Sequence, residues 1–165
     1  MKKTKFVCLT LSLSILGFAN GCAKKTKTDT EANSAVAQQQ DLQNSSAHDS
    51  DSNNALGLVT VHFAFDSNEL DDGAKESLKR NIEVLRKKSD VHVQIEGHCD
   101  QRGGIQYNIA LGERRAKTVM KYLTTMGIDK SRLTTISMGK EKPLDLGETE
   151  EAFARNRRAN FVITQ

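Results

Sequence analysis

The sequence predicts an α+β domain: a mixed four-stranded sheet with helices packed mainly on one face, in the order β-α-β-α-β-α-β. Two observations predict it. Apolar residues alternate with period two in four short runs, and the three segments between those runs carry them at helical spacing. No segment repeats another.

In the first run Val59, Val61, Phe63 and Phe65 alternate with Thr60, His62 and Ala64, which reads as a strand with one buried face over residues 59–65. Asp71 or Asp72 stands where a helix N-cap is expected. Ala74, Leu78, Ile82 and Leu85 then recur at helical spacing, with Lys79, Arg80, Arg86, Lys87 and Lys88 on the other side. Ser89 and Asp90 end that helix. Val91, Val93 and Ile95 form a second strand that closes at Gly97. Residues 98–104 are a polar, glycine-bearing loop. A long helix follows over about residues 106–126, stopped by Gly127 in the C-cap region. The third strand covers 133–138, a loop 139–147, a short helix 148–156 and the last strand 159–163.

This domain, residues 58–165, is preceded by two segments of different character. Residues 1–21 have a basic start (Lys2, Lys3, Lys5), an apolar run and a small residue, Gly21, which is the layout of a secretory signal. The apolar run is about 14 residues, too short for the roughly 20 that span a bilayer as a helix. Cys22 directly after Gly21 is expected to be acylated and to become the first residue of the mature chain, the alternative being ordinary cleavage near Gly21 that leaves Cys22 a plain thiol. Ala19 and Asn20 depart from the usual residues of such a lipidation motif. Ala23 after the cysteine points to the outer membrane. Residues 22–57 lack apolar periodicity and cannot offset their ordering entropy, so they read as a disordered tether.

The formal charge of +3 includes the three leader lysines. Within the tether, Lys24, Lys25 and Lys27 oppose Asp29, Glu31, Asp41, Asp49 and Asp51, which leaves the domain only slightly basic. That argues against nucleic acid as a partner. Cys8 leaves with the leader and Cys22 is the anchor, so Cys99 has no partner for an internal disulfide.

The chemistry concentrates in residues 96–116. Asp100 follows a strand end in a loop, where ligand-binding residues concentrate. On the following helix Asn108, Leu111 and Arg115 are spaced three and four apart and share a face. Asn108 and Arg115 therefore converge, and Asp100 can close the spot. An arginine and a helix N-terminus favour a carboxylate; an aspartate favours an ammonium. The combination suits a zwitterion, although an Asp–Arg pair that merely joins loop to helix satisfies the same spacing.

Gly97-His98-Cys99-Asp100-Gln101-Arg102-Gly103, Tyr107-Asn108 and Ala110-Leu111-Gly112-Glu113-Arg114-Arg115-Ala116 resemble the signature of OmpA-like C-terminal domains, in the branch of the peptidoglycan-associated lipoproteins. Phe63-Ala64-Phe65-Asp66, residues 137–143 and Asn156-Arg157-Arg158-Ala159 extend the likeness. The resemblance implies a non-enzymatic protein without cofactor or metal that binds peptidoglycan stem peptides through meso-diaminopimelate. It sets Asp100 against the ammonium group, Arg115 against the carboxylate and Asn108 in the pocket, with Phe65, Asp66, Arg157 and Arg158 at the rim. It also implies a TolB-like periplasmic partner, a Tol-Pal system active in cell division, and a lipid-anchored place on the periplasmic face of the outer membrane. Cys99 stands where the family has Thr, and Gln101 where it has an acid.

Other readings are weaker. His98 beside Cys99 and Asp100 lacks the ligand count and spacing of a zinc site, and adjacent residues of an extended segment point apart, which disfavours a thiol–imidazole pair. His98 is expected to be a hydrogen-bonding loop residue. A flagellar stator-type anchor would keep its first apolar segment as a membrane span. A wall-acting enzyme would have to pair Glu96 with Asp100.

Overall fold

The structure, a computed structural model, describes residues 48–165. Residues 1–47, which hold the expected leader over 1–21, Cys22 and most of the expected tether, lie outside the described residues. The elements are β1 (Val61–His62), α1 (Asp72–Lys87), β2 (Val93–His98), α2 (Ile105–Thr125), a 3-10 turn (Lys130–Arg132), β3 (Leu133–Gly139), α3 (Glu150–Asn156) and β4 (Arg158–Ile163). The sheet order is β1-β4-β2-β3. β4 runs antiparallel to both neighbours, and β2 runs parallel to β3. The α+β architecture is the expected one.

Alternation along the strands gives the sheet two unlike faces. Ile95 pairs with Phe161 and Gly97 with Ala159. This apolar face packs with Leu78, Leu85, Val119 and Leu123 of α1 and α2 into one core. The intervening residues Glu96, His98, Arg158 and Asn160 are also buried, although they are polar. Residues 49–57 help to cover them. Asp49 bridges to Val162. Ser50 N donates to Phe161 O at 3.0 Å, and Ser50 Oγ donates to Asn160 Oδ1 at 2.8 Å. Arg158 Nε donates to Asp51 Oδ2 at 2.8 Å. Ala55 and Leu58 enter the core.

Residues 49–57, expected to belong to the tether that ends at residue 57, are therefore corrected to be part of the folded domain. A segment of Asp, Ser and Asn has no apolar pattern to announce it. Here the face it covers is itself polar, so hydroxyls and carboxylates are the complementary groups.

β1 is shorter than the run over 59–65 suggested. Asn81 of α1 takes the place of a strand partner at Val59, accepting from its N–H and donating to its carbonyl, both at 2.8 Å. Beyond β1, the carbonyls of Phe63 and Ala64 accept from Arg157 and Arg115 rather than from a strand. β2 is shifted to Val93–His98, because His98 continues the ladder into the expected loop.

α1 is capped by Asp71, whose Oδ1 accepts from Ala74 N at 2.7 Å. α2 ends at Thr125, and Gly127 two residues on takes a φ of +92° that turns the chain away. α2 sits on β2 through a glycine contact. A Cβ on Gly97 would lie 1.8 Å from Gly112 O, and one on Gly112 would lie 2.6 Å from Gly97 O. Only backbone fits between them. This close approach sets α2, with Asn108 and Arg115, against the loop that holds Asp100.

Candidate binding site

β2 delivers the chain to residues 99–104, and that loop is fixed from several sides. Cys99 N donates to Gly139 O at 2.7 Å. Gln101 Nε2 donates to Lys140 O at 3.0 Å, and Lys140 Nζ donates to Gly103 O at 2.8 Å. Asn108 Nδ2 donates to Arg102 O at 2.7 Å. Asn108 thus positions the loop backbone.

Between this loop, the chain after β1 and the start of α2 lies a cavity of about 150 Å³. Its lining includes Phe65, Asp66, Asp100, Asn108, Arg115 and Arg157. Six of the seven expected pocket residues are brought together. The volume suits the end of one side chain, being below the roughly 300 Å³ at which pockets for whole drug-sized ligands begin.

Arg158 is the exception and is corrected. Arg157 and Arg158 are consecutive where β4 begins, so they point to opposite faces. Arg157 enters the cavity, where Nη1 meets Asp100 Oδ2 at 3.3 Å. Arg158 turns to the polar face beside Asp51, Glu96 and His98, which line a separate cavity.

Asp100 is 5% exposed. Burial alone would raise its carboxyl pKa, but hydrogen bonds from the Arg102 side chain and backbone, the Arg102 charge and a bond from Arg157 outweigh burial and hold it below the usual range. It is ionised at neutral pH. Arg115 is fully buried. Its Nε donates to Ser67 O at 2.8 Å, Nη1 to His98 O at 2.8 Å and to Cys99 Sγ at 3.4 Å, and Nη2 to Ala64 O at 3.1 Å. Four of its five N–H groups are thereby engaged. It stitches three chain segments around the cavity and keeps one N–H in reserve, so a two-point grip on a carboxylate would require breaking some of those bonds.

The rim holds Phe65, 60% exposed, and Asp66, which takes a φ of +52° and accepts from Tyr107 Oη. Arg102, Tyr107, Glu150 and Phe153 also belong to the site, although side-chain spacing does not point to them. Arg102 had one readable signal. Asp100 Oδ1 accepts from Arg102 N at 3.1 Å, the turn that an aspartate makes with the backbone two residues on. Glu150 and Phe153 come from α3 and carried no such sign.

His98 is also corrected. It closes β2, is 1% exposed, and neither ring nitrogen enters a hydrogen bond. Its Nε2 lies 3.4 Å from Glu96 Oε2 without the alignment of one. Cys99 Sγ donates to Asn108 O at 3.3 Å, and burial pushes the thiol up, away from a nucleophilic thiolate. Glu96 and Asp100 line different cavities and cannot share a water as an acid–base pair would.

Residues 62–157 match the OmpA family model. The peptidoglycan-associated lipoprotein of Pseudomonas aeruginosa is 37% identical over 98% of this chain and 97% of its own length. The chain belongs to the OmpA family, among its peptidoglycan-associated lipoproteins. The crystal structure of the corresponding lipoprotein from Burkholderia pseudomallei is 37% identical, with a TM-score of 0.61, over 64% of this chain and 89% of that one. The cell wall anchor of the type VI secretion system from Pseudomonas aeruginosa is 28% identical, with a TM-score of 0.55, over 63% and 78%.

Proposed function

We propose that this protein is a non-catalytic anchor that holds peptidoglycan by the zwitterionic end of its diaminopimelate stem peptides. One observation carries the reading: an ionised Asp100 and the Arg115 guanidinium border the same small cavity. The ammonium group goes to Asp100. The carboxylate goes to the positive side of the cavity, where Arg115 and Arg157 hold their charges among backbone carbonyls. The Pseudomonas aeruginosa relative is a peptidoglycan-associated lipoprotein, and the secretion-system neighbour is a cell wall anchor.

On the same reading the leader over 1–21 is removed, Cys22 is acylated, and the domain tethers the outer membrane to the wall from the periplasmic side. A TolB-like protein is the expected partner, within a Tol-Pal system that acts in cell division and envelope integrity.

The test is sedimentation with purified sacculi, with free meso-diaminopimelate as competitor. Asp100→Asn is expected to weaken binding at least tenfold, because a desolvated charge pair is lost. Binding equal to the parent protein would rule out the site. Arg115→Ala is a poorer probe, since it also removes a donor from each of three backbone carbonyls. Cys22→Ser is expected to release the protein from membranes, and unchanged membrane fractionation would rule out the anchor.

A further inference from the structure

The Asp100 seat is already taken. Arg102 Nη2 donates to Asp100 Oδ2 at 2.6 Å, and Nε donates to Oδ1 at 3.2 Å, a two-point grip on the carboxylate. The guanidinium is held between two rings, 4.1 Å from the centroid of Phe65 and 4.4 Å from that of Phe153. A second acid waits beside it: Nη1 lies 3.3 Å from Glu150 Oε2. The loop backbone around Arg102 is pinned by Asn108, Gln101 and Lys140, while the Arg102 side chain is 36% exposed. Movement is therefore open to the side chain and closed to the loop.

We propose that Arg102 is the resident cation of the Asp100 seat, and that an incoming ligand must replace its guanidinium with an ammonium group of its own. This rests on the assignment of the cavity to diaminopimelate. The exchange conserves charge. Asp100 gives up one cation for another, and Arg102 swings toward Glu150 without leaving Phe153. A ligand without an ammonium offers Asp100 nothing in return for Arg102 and is refused. Arg102 is thus a specificity-determining residue, and Glu150 is the residue that receives it. Arg157 stays throughout, since it is buried and bonded to Phe63 O and Glu150 as well as to Asp100.

The test uses calorimetry on the full-length protein in detergent, with free meso-diaminopimelate and an uncrosslinked tripeptide ending in it as probes. Arg102→Ala is expected to bind both about fivefold tighter, the scale of a partly exposed ion pair no longer competing. Arg102→Lys keeps the charge but loses the two-point grip and should fall between the two. Glu150→Gln should bind more weakly than the parent, because the displaced guanidinium loses its second carboxylate. In the parent protein the Arg102 Nε–H resonance should move on titration with diaminopimelate. Binding by Arg102→Ala equal to or weaker than the parent overturns the proposal and leaves the cavity assignment standing. Failure of the parent protein to bind either probe overturns the assignment itself.

Discussion

Arg157 and Arg158 are neighbours in the chain and serve opposite faces of one sheet: the first meets Asp100 Oδ2 at 3.3 Å, the second Asp51 Oδ2 at 2.8 Å. The Arg157–Asp100 pair is buried and the Arg158–Asp51 pair part-buried, so losing either arginine leaves a carboxylate one donor short and costs about 1–3 kcal/mol. The consequences differ by face. Arg157→Ala is expected to impair sacculus binding at least tenfold. Arg158→Ala is expected to leave that binding intact and to speed proteolytic cleavage within residues 48–57. The two readouts, pull-down and limited proteolysis, should separate cleanly. A shared phenotype would show that the faces are not independent.

The Gly97–Gly112 contact leaves no room for a methyl group. Gly112→Ala is expected to lower unfolding free energy by about 1–3 kcal/mol, because α2 must lift off β2. Urea denaturation measures it. Since α2 carries Asn108 and Arg115, the same variant should also lose ligand affinity.

Acid should loosen the polar face. Burial pushes the His98 imidazole below its usual 6.5, and Arg158 adds to this, while Glu96 and Asp51 oppose it. The native state thus resists a proton that the unfolded chain accepts. The stability this leaves is fully present above about pH 6.5 and falls as pH drops below that value, by up to about 1.4 kcal/mol per pH unit. Urea midpoints between pH 7.5 and 5.5 should show the slope in the parent protein, and His98→Gln should flatten it.

Asn81 stands in for a strand at Val59. Asn81→Ala leaves the Val59 N–H and C=O without those partners in a part-buried place. A loss of about 1–3 kcal/mol is expected in chemical denaturation, with sacculus binding retained in the folded fraction.

How much of this was readable follows from what makes a pattern. The helices announced themselves, because Leu78, Ile82 and Leu85 keep helical spacing wherever one face is apolar. The site was half readable. Asn108 and Arg115 share a helix face by arithmetic, and Asp100 ends a strand, so their convergence is a local deduction. The ion partners of Asp100 could not be ranked this way. Arg157 lies 57 residues away in sequence, and only the insertion of β4 beside β2 brings it near. The role of Arg115 differed for a similar reason, since the carbonyls of Ala64, Ser67 and His98 are invisible to side-chain patterning. Residues 49–57 were unreadable because polar-on-polar packing has no hydrophobic period.

The seam of residues 49–51 along β4 has a mechanical meaning. Any pull on the chain upstream of residue 48 arrives at Asp49, Ser50 and Asp51, and passes through Val162, Phe161, Asn160 and Arg158 into β4. That strand is interior to the sheet, clasped on both edges, and it begins beside the arginine that faces Asp100. Tension applied upstream and the proposed grip at the cavity would thus share a single rod, and tension need not cross the helical layer to reach the cavity.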